Sequence, residues 1–476
     1  MAADRKRVSF GAREGRQDTL VVTLSQDGAG EIDPKERDGQ THRSDRIVMT
    51  EPRESLTDPI RDELNRLGRA PDLDFIRGLF APATGDAAFA PAAVNDSIGR
   101  LVTVPEVNTG HPFLDLSVKT GLAFIDVTFQ GDHPKYGVGG YGADRHDGFP
   151  PTIIATVDAL TSWGLSGRAV QLFRYWLANF VCEDGTIRYY GPSLSEYGQL
   201  LHVAALLYER AGPEGWWTDG HKALARMADC LLNLCAGAER AGDLMPGVPE
   251  ADVSTGDPNN VSDPTHSEGN RYFHNNAWVA RGLIRWAELL DRSGASTSQP
   301  VSRIRLVAGN LAGRTLAAIE RTWPVDPEDW WLSPQVEPGP RPDSLTANAL
   351  ASYTNYRYWP ELLSSGVLPA ALANRVVEAR LSGGGQFCGM TRFRDHLDDW
   401  PLADYLCALW RLARKHDFLL SLYGHVAYHQ AESHLTAYEQ VSLPPDGEML
   451  APYCLPCQLV AARAARRLGS SLAPSR

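Results

Sequence analysis

The connections between helical stretches alternate in length along this chain, and that alternation restricts its fold more than any single motif. Amphipathic periodicity predicts a helix over 59–80, then helices near 150–163, 166–180, 194–210, 218–237, 270–292, 299–321, 343–358, 369–381, 398–415, 417–434 and 449–468. The period is plain in Leu194, Tyr197, Leu201, Ala204 and Tyr208, and again in Leu402, Tyr405, Leu409 and Leu412. Links at 163–166, 210–218, 292–299, 358–369 and 415–417 are short. Those at 181–193, 238–269, 322–342, 382–397 and 435–448 are long, and 81–149 completes the series. Six helical hairpins separated by long loops suit a closed ring of two concentric helix layers. An open solenoid would have shorter loops and repeats more alike in sequence.

The chain has 476 residues, enough for a large core, and its composition is that of an ordinary globular protein. Residues 1–55 are polar and weakly periodic, and are expected to form a flexible arm. Residues 56–470 are expected to form one helical domain, with 81–148 an extended loop and strand excursion over its loop face. The best strand candidate there is Leu122-Ala-Phe-Ile-Asp-Val-Thr-Phe129. A net charge of -12 disfavours nucleic acid and anionic membranes as partners. No apolar run is long enough to span a membrane, and no apolar segment follows the opening Met-Ala-Ala-Asp-Arg-Lys-Arg, so a cytoplasmic location is expected. Assembly stays open, a homodimer included.

Seven cysteines in so long a chain do not make a disulfide scaffold. Cys454-Leu-Pro-Cys457 has redox spacing, but it follows no βαβ pattern and no second pair accompanies it, so it is read as structural. The Gly137–Gly142 loop matches no phosphate-binding glycine motif. Neither HExxH nor GxSxG occurs, and His146, His202 and His221 read as structural. No metal site and no cofactor is expected.

If the ring closes, six loops converge. They bring Tyr141, Asp144, Arg145 and Asp147; Tyr190 and Glu196; Asp263-Pro-Thr-His-Ser-Glu-Gly-Asn-Arg-Tyr-Phe-His-Asn-Asn-Ala-Trp278; Trp330 and Trp331; Arg392, His396, Asp398 and Asp399; and Tyr438, Glu439 and Tyr453. Carboxylates and aromatic rings recur together. Aromatic faces cover the C–H side of a sugar while Asp, Asn and Arg bind its hydroxyls, so a carbohydrate partner is expected. Bland readings compete: Asp184-Gly185 makes a turn, Asp398 caps a helix, and Asp399 sits in its first turn.

The hairpin order, with Asp184-Gly-Thr-Ile-Arg-Tyr-Tyr190 before one inner helix and Asp398-Asp-Trp-Pro-Leu-Ala-Asp-Tyr405 before another, resembles the six-hairpin (α/α)6 toroid glycosidase superfamily over roughly residues 60–468. The resemblance implies an all-α toroid and a sugar substrate. Its members include glycoside hydrolases, phosphorylases, lyases and epimerases. The expected function is hydrolysis of a glycosidic bond in an oligo- or polysaccharide, with inversion, by a carboxylate pair. Glu268 is the expected general acid, with Glu439 or Asp144 as base or nucleophile. Tyr141, Arg145, Asp147, Tyr190, Glu196, His266, Asn270, Arg271, Tyr272, His274, Asn275, Trp330, Trp331, Arg392, His396, Asp399, Tyr438 and Tyr453 are the expected substrate contacts. A polysaccharide lyase would instead draw its base and its carboxylate-neutralising groups from Arg271, Tyr272, His274, Asn275 and Asn276. A sugar epimerase and a non-catalytic glycan-binding protein are the other readings.

Overall fold

The structure is a computed structural model. It describes the backbone of residues 8–12, 19–24 and 46–50, and residues 107, 109, 112–142, 144–189, 193–249, 269–323, 330–337, 339, 341–430, 435–442, 449–450 and 454–472. The helix expected over 59–80 lies outside the described residues. Three strands, β1 (Val8–Ala12), β2 (Thr19–Leu24) and β3 (Arg46–Thr50), form an antiparallel meander in the segment read as an arm. The β-branched runs Val21-Val22 and Ile47-Val48 pair across its second ladder.

The helices then follow in order: α1 (Pro112–Thr128), α2 (Pro150–Ser162), α3 (Ser166–Phe180), α4 (Leu194–Ala211), α5 (Trp217–Ala241), α6 (Phe273–Ser293) and α7 (Val301–Thr322). Next, α8 (Ala349–Tyr353) runs through a π-helical turn, Thr354–Tyr358, into α9 (Trp359–Ser365). The series ends with α10 (Ala370–Ser382), α11 (Leu402–Arg411), α12 (Lys415–Gly424) with its π turn His425–His429, the short α13 (Leu455–Gln458) and α14 (Val460–Leu472). The sequence pattern ended one helix at 358. The structure carries that rod on to Ser365, because Pro360 falls in the first turn after the π turn, where a missing N–H is tolerated.

Six of these rods form a closed inner ring. Helix α2 packs on α4, α4 on α6, α6 on α9, α9 on α11, α11 on α14, and α14 on α2. Outside it lie α1, α3, α5, α7, α10 and α12. This is the (α/α)6 toroid, with the β meander as its N-terminal addition. Burial sorts the layers. Helix α2 is buried almost all round, including Ile153, Ile154, Val157 and Leu160, as a helix between two layers must be. Helix α5 buries one stripe, Gly220, Ala223, Leu224, Met227, Leu231, Cys235 and Ala238, and turns its other side to solvent. It ends at Gly242, whose φ of 67° is a left-handed helix stop. Among the described residues no helix is long and apolar enough to cross a membrane.

Two expectations change. Leu122–Thr128 is not a strand but the second half of α1, where Val118, Leu122 and Ile125 recur at helical spacing and are buried together with Phe129 just past the helix end. Packing of that stripe against α14 outweighs the β-branched content. The loops before α11 and α13 are not irregular either. They hold β4 (Gln386–Phe387), β5 (Met390–Phe393), β6 (His396–Asp398), β7 (Gln440–Ser442) and β8 (Met449–Leu450), one antiparallel sheet in that order.

Short links reverse the chain, so the six inner helices are parallel and their N-terminal ends meet at one face with the long loops. Close approach holds the ring tight where α4 crosses α6. A Cβ at Gly198 would overlap the Trp278 carbonyl oxygen, and one at Gly282 would lie 2.5 Å from the Gly198 Cα. Gly198→Ala is therefore expected to force the two helices apart and to lower unfolding free energy by about 1–3 kcal/mol. Urea unfolding followed by circular dichroism measures it; a midpoint equal to wild type would show that this crossing has slack.

Candidate functional site

The loop face is floored by aromatic rings from three connections, from α8 and its π turn, and from the start of α6. Tyr136 and Tyr141 stand 4.6 Å apart between ring centroids, and Tyr136 lies 5.2 Å from Phe149. Phe149 leads to Tyr189 at 5.2 Å and Trp400 at 6.0 Å. Tyr356 continues from Trp400 to Phe393, and Phe393 to Tyr353. Tyr358 and His274 stack at 4.6 Å. These rings form a second buried cluster, distinct from the main core between the helix layers.

Strands β6 and β7 deliver two carboxylates to this cluster. Their ladder pairs Asp398 with Gln440, and Glu439 is the bend residue immediately before β7. The Asp398 Oδ1 accepts from the Trp400 N–H at 3.1 Å and Oδ2 from Gln440 Nε2 at 3.3 Å. Burial pushes the Asp398 carboxyl well above the usual carboxylate range, and the Glu439 charge adds to it. Glu439 is half-buried, and the Tyr136 hydroxyl donates to its Oε1 at 3.0 Å. Tyr141 also hydrogen-bonds Glu439. The indole N–H of Trp400 meets no acceptor among the described residues although the ring is buried.

A buried charge cluster backs this face. Arg357, in the π turn of the fourth inner rod, reaches Glu196 on α4 at 2.7 Å and Glu361 on α9 at 2.5 Å. Its guanidinium also lies 5.1 Å from the Trp400 ring centroid. Glu196 is therefore bound in a tie across the ring. The geometry orients Trp400 from beneath.

The other expected site residues are distributed as follows. The Asp144 carboxylate is exposed and bound to Lys135 at 2.7 Å, which holds its pKa down. Asp147 accepts from the same lysine and contacts His133 Nε2 at 2.6 Å. In the third loop, Arg271 is paired with Asp243 and with Glu337. Asn270 donates to Gln335, and Asn275 bridges the Ser195 N–H and the Val248 carbonyl. Tyr272 is fully buried in the aromatic cluster. Trp331 packs in the main core 5.8 Å from Trp359, with half-buried Trp330 edge-on beside it. Arg392 donates to the Gly384 carbonyl and His396 contacts Asp395. Tyr438 is half-buried and donates its N–H to the His429 carbonyl. Tyr190, His266, Glu268 and Tyr453, and the side chain of Arg145, lie outside the described residues.

The structure thus gathers Tyr141, Asp398 and Glu439, and it adds Tyr136, Phe149, Tyr353, Tyr356 and Trp400, which the sequence reading did not single out as contacts. It also gathers Asp399, His425 and His429, whose ligand atoms lie within 4.8 Å of one another, in an arrangement able to hold a metal ion. The i, i+4 spacing of His425 and His429 was the sequence signal for this pair.

No family model matches the sequence, and no curated protein matches it. Solved structures do match in fold. A wild-type protein described as a glycosidase superposes with a TM-score of 0.51 at 13% identity, covering 75% of this chain and 97% of the other. A single-residue variant described as a glycosidase gives 0.52 at 12% identity, with the same coverage. At these identities the likeness is one of fold, the six-hairpin toroid shared with glycosidase-type enzymes.

His274 supplies a pH test of the face. Its Nε2 donates to the Pro249 carbonyl at 2.9 Å, and burial lowers its pKa to about 4. A depressed folded pKa gives stability that is complete above the unfolded value near 6.5 and is lost as pH falls through about 4. Between pH 7.5 and 4, wild type is expected to lose on the order of 3 kcal/mol more than His274→Asn. Denaturant titrations at both pH values test this, and equal losses would mean that His274 protonates freely in the folded chain.

Proposed function

We propose that this protein cleaves a glycosidic bond in an oligo- or polysaccharide, with Asp398 and Glu439 as its carboxylate pair. The observation that carries the reading is the placement of Asp398 at the end of β6 and Glu439 just before the neighbouring β7, against a continuous aromatic floor. Buried Asp398 donates a proton to the leaving oxygen as the anomeric C–O bond breaks. Glu439, already accepting from Tyr136, takes a proton from water, whose oxygen bonds the anomeric carbon from the opposite side. The products are a reducing sugar of inverted configuration and a free hydroxyl. Half-buried Tyr141 and Tyr189 offer ring faces to the sugar, and the Trp400 N–H, which meets no acceptor among the described residues, is a further donor at this face.

Asp398 takes the proton-donor role in this reading because Glu439 lies close enough to raise its pKa; Glu268, outside the described residues, stays the alternative acid. The lyase reading has less support. Arg271 is bound by two carboxylates and Asn275 by backbone, so neither is poised for a uronate.

Asp398→Asn is expected to lower kcat by about 10²- to 10⁴-fold on a glycoside with a poor leaving group, with partial rescue on an activated aryl glycoside. Glu439→Gln should lower both alike. Proton NMR of the first-formed anomer reads inversion or retention. Wild-type kcat in the Asp398 variant, together with leaving-group-dependent loss in Glu268→Gln, would return the acid role to Glu268. An unsaturated product absorbing in the ultraviolet would replace hydrolysis with elimination.

A further inference from the structure

Beside the strand that carries Asp398, three buried groups meet that neither the carboxylate pair nor the ring's ion pairs use. Asp399 follows β6, and His425 and His429 open and close the π turn after α12. All three are fully buried. The Asp399 Oδ2 lies 3.2 Å from His425 Nδ1 and 3.6 Å from His429 Nε2. The other oxygen, Oδ1, accepts from the Thr391 N–H at 2.8 Å, so the carboxylate is aimed.

His429 presents a conflict that needs a cation, either a second proton on its ring or a metal ion. Its Nε2 faces the Asp399 oxygen, and its Nδ1 faces the Tyr438 carbonyl at 3.5 Å. A neutral imidazole carries one N–H and one lone pair. Whichever nitrogen holds the proton, the other turns a lone pair toward an oxygen. The Nε2 atom of His429, which faces that carboxylate oxygen, also has no hydrogen-bond partner among the described residues. A cation between the rings and the carboxylate removes this conflict. The Nδ1–H of His429 then donates to the Tyr438 carbonyl, the usual backbone partner that fixes a metal-bound tautomer.

We propose that Asp399, His425 and His429 bind one divalent first-row transition-metal ion, of which Zn²⁺ is the first to try. Two imidazoles and a carboxylate are a donor set suited to such ions. Bonds of about 2.0–2.1 Å in a tetrahedral site put neighbouring ligand atoms roughly 3.3 Å apart, between the two separations found here. A fourth position is left for water. The ion would tie the π turn of α12 to the end of β6, and so fix the residue next to Asp398 in place. This proposal does not depend on the reaction assigned to Asp398.

The test is metal content and coordination of the whole chain. Protein stripped with a chelator, then dialysed against buffered Zn²⁺, is expected to retain one equivalent and to melt at a higher temperature than the stripped form. X-ray absorption at the zinc edge should show nitrogen and oxygen neighbours only, and Co²⁺ in place of Zn²⁺ should give visible ligand-field bands. Asp399→Asn and His429→Ala, if folded, should lose both the retained zinc and the melting shift. Where a variant does not fold, absorption spectroscopy of the wild type decides. A folded wild type that retains no zinc and melts unchanged would overturn the site in favour of a proton held on His429. Sulfur neighbours would place the metal at Cys454 and Cys457 and overturn it equally.

Discussion

A ring of helices exists only if its last member packs against its first, and Arg463 is where that closure is fixed by charge. Its Nε binds Asp158 on α2 at 2.7 Å, and its NH2 group binds Asp404 on α11 at 3.2 Å. One guanidinium on the sixth inner rod thus holds the first and the fifth. Trp163, just past α2, adds a bond from its indole N–H to the Ala462 carbonyl at 2.8 Å. An ion pair of this kind adds little net stability over an apolar contact, but loss of one partner leaves buried charge behind. Its effect is to specify which helices meet. An open solenoid has no counterpart to it.

Closure dictates where chemistry is possible. Inner helices buried on every side have no room for a ligand along their length, so function is confined to the face where their N-terminal ends and the long loops meet. The same logic explains Arg357. Charge at that depth is tolerated because Glu196 and Glu361 answer it from two different rods. The face above then receives a Trp400 ring held from below, one carboxylate held on β6 and another held at the entry to β7. A short sheet grips such side chains more firmly than an irregular loop would, since each strand is fixed by its neighbour.

What could be read from the sequence follows from what leaves a period. Helices that bury a stripe announce themselves, and so the hairpins and the alternation of links were legible. Strands of two to four residues leave no period, so in the sequence β4–β8 cannot be told from loop. Tyr136 and Phe149 are single rings in a connection, with no pattern to mark them before the chain is folded. Asp398 was visible but ambiguous, and it does bond the Trp400 N–H as a turn-forming residue should. It does not cap the helix, which starts at Leu402 after Pro401, and Asp399 falls short of its first turn. A turn bond and catalysis are compatible at one carboxylate, because each oxygen has two lone pairs. Glu439 was legible through its neighbour Tyr438. Asp399 lies 26 residues before His425, too far for any local motif, so only the folded chain joins them.

The pairing of α1 with α14 has a topological consequence. These two helices lie side by side as outer and inner rods, just as α2 lies with α3 or α6 with α7. They make the sixth hairpin, and its short link is simply missing. The start of α1 and the end of α14 therefore come together on the face opposite the site. Seen as a circle, the toroid carries its one break at a position equivalent to five intact turns. Joining those ends and cutting instead at another short turn, such as residues 212–216 between α4 and α5, would leave every inner contact and every site loop in the same order around the ring.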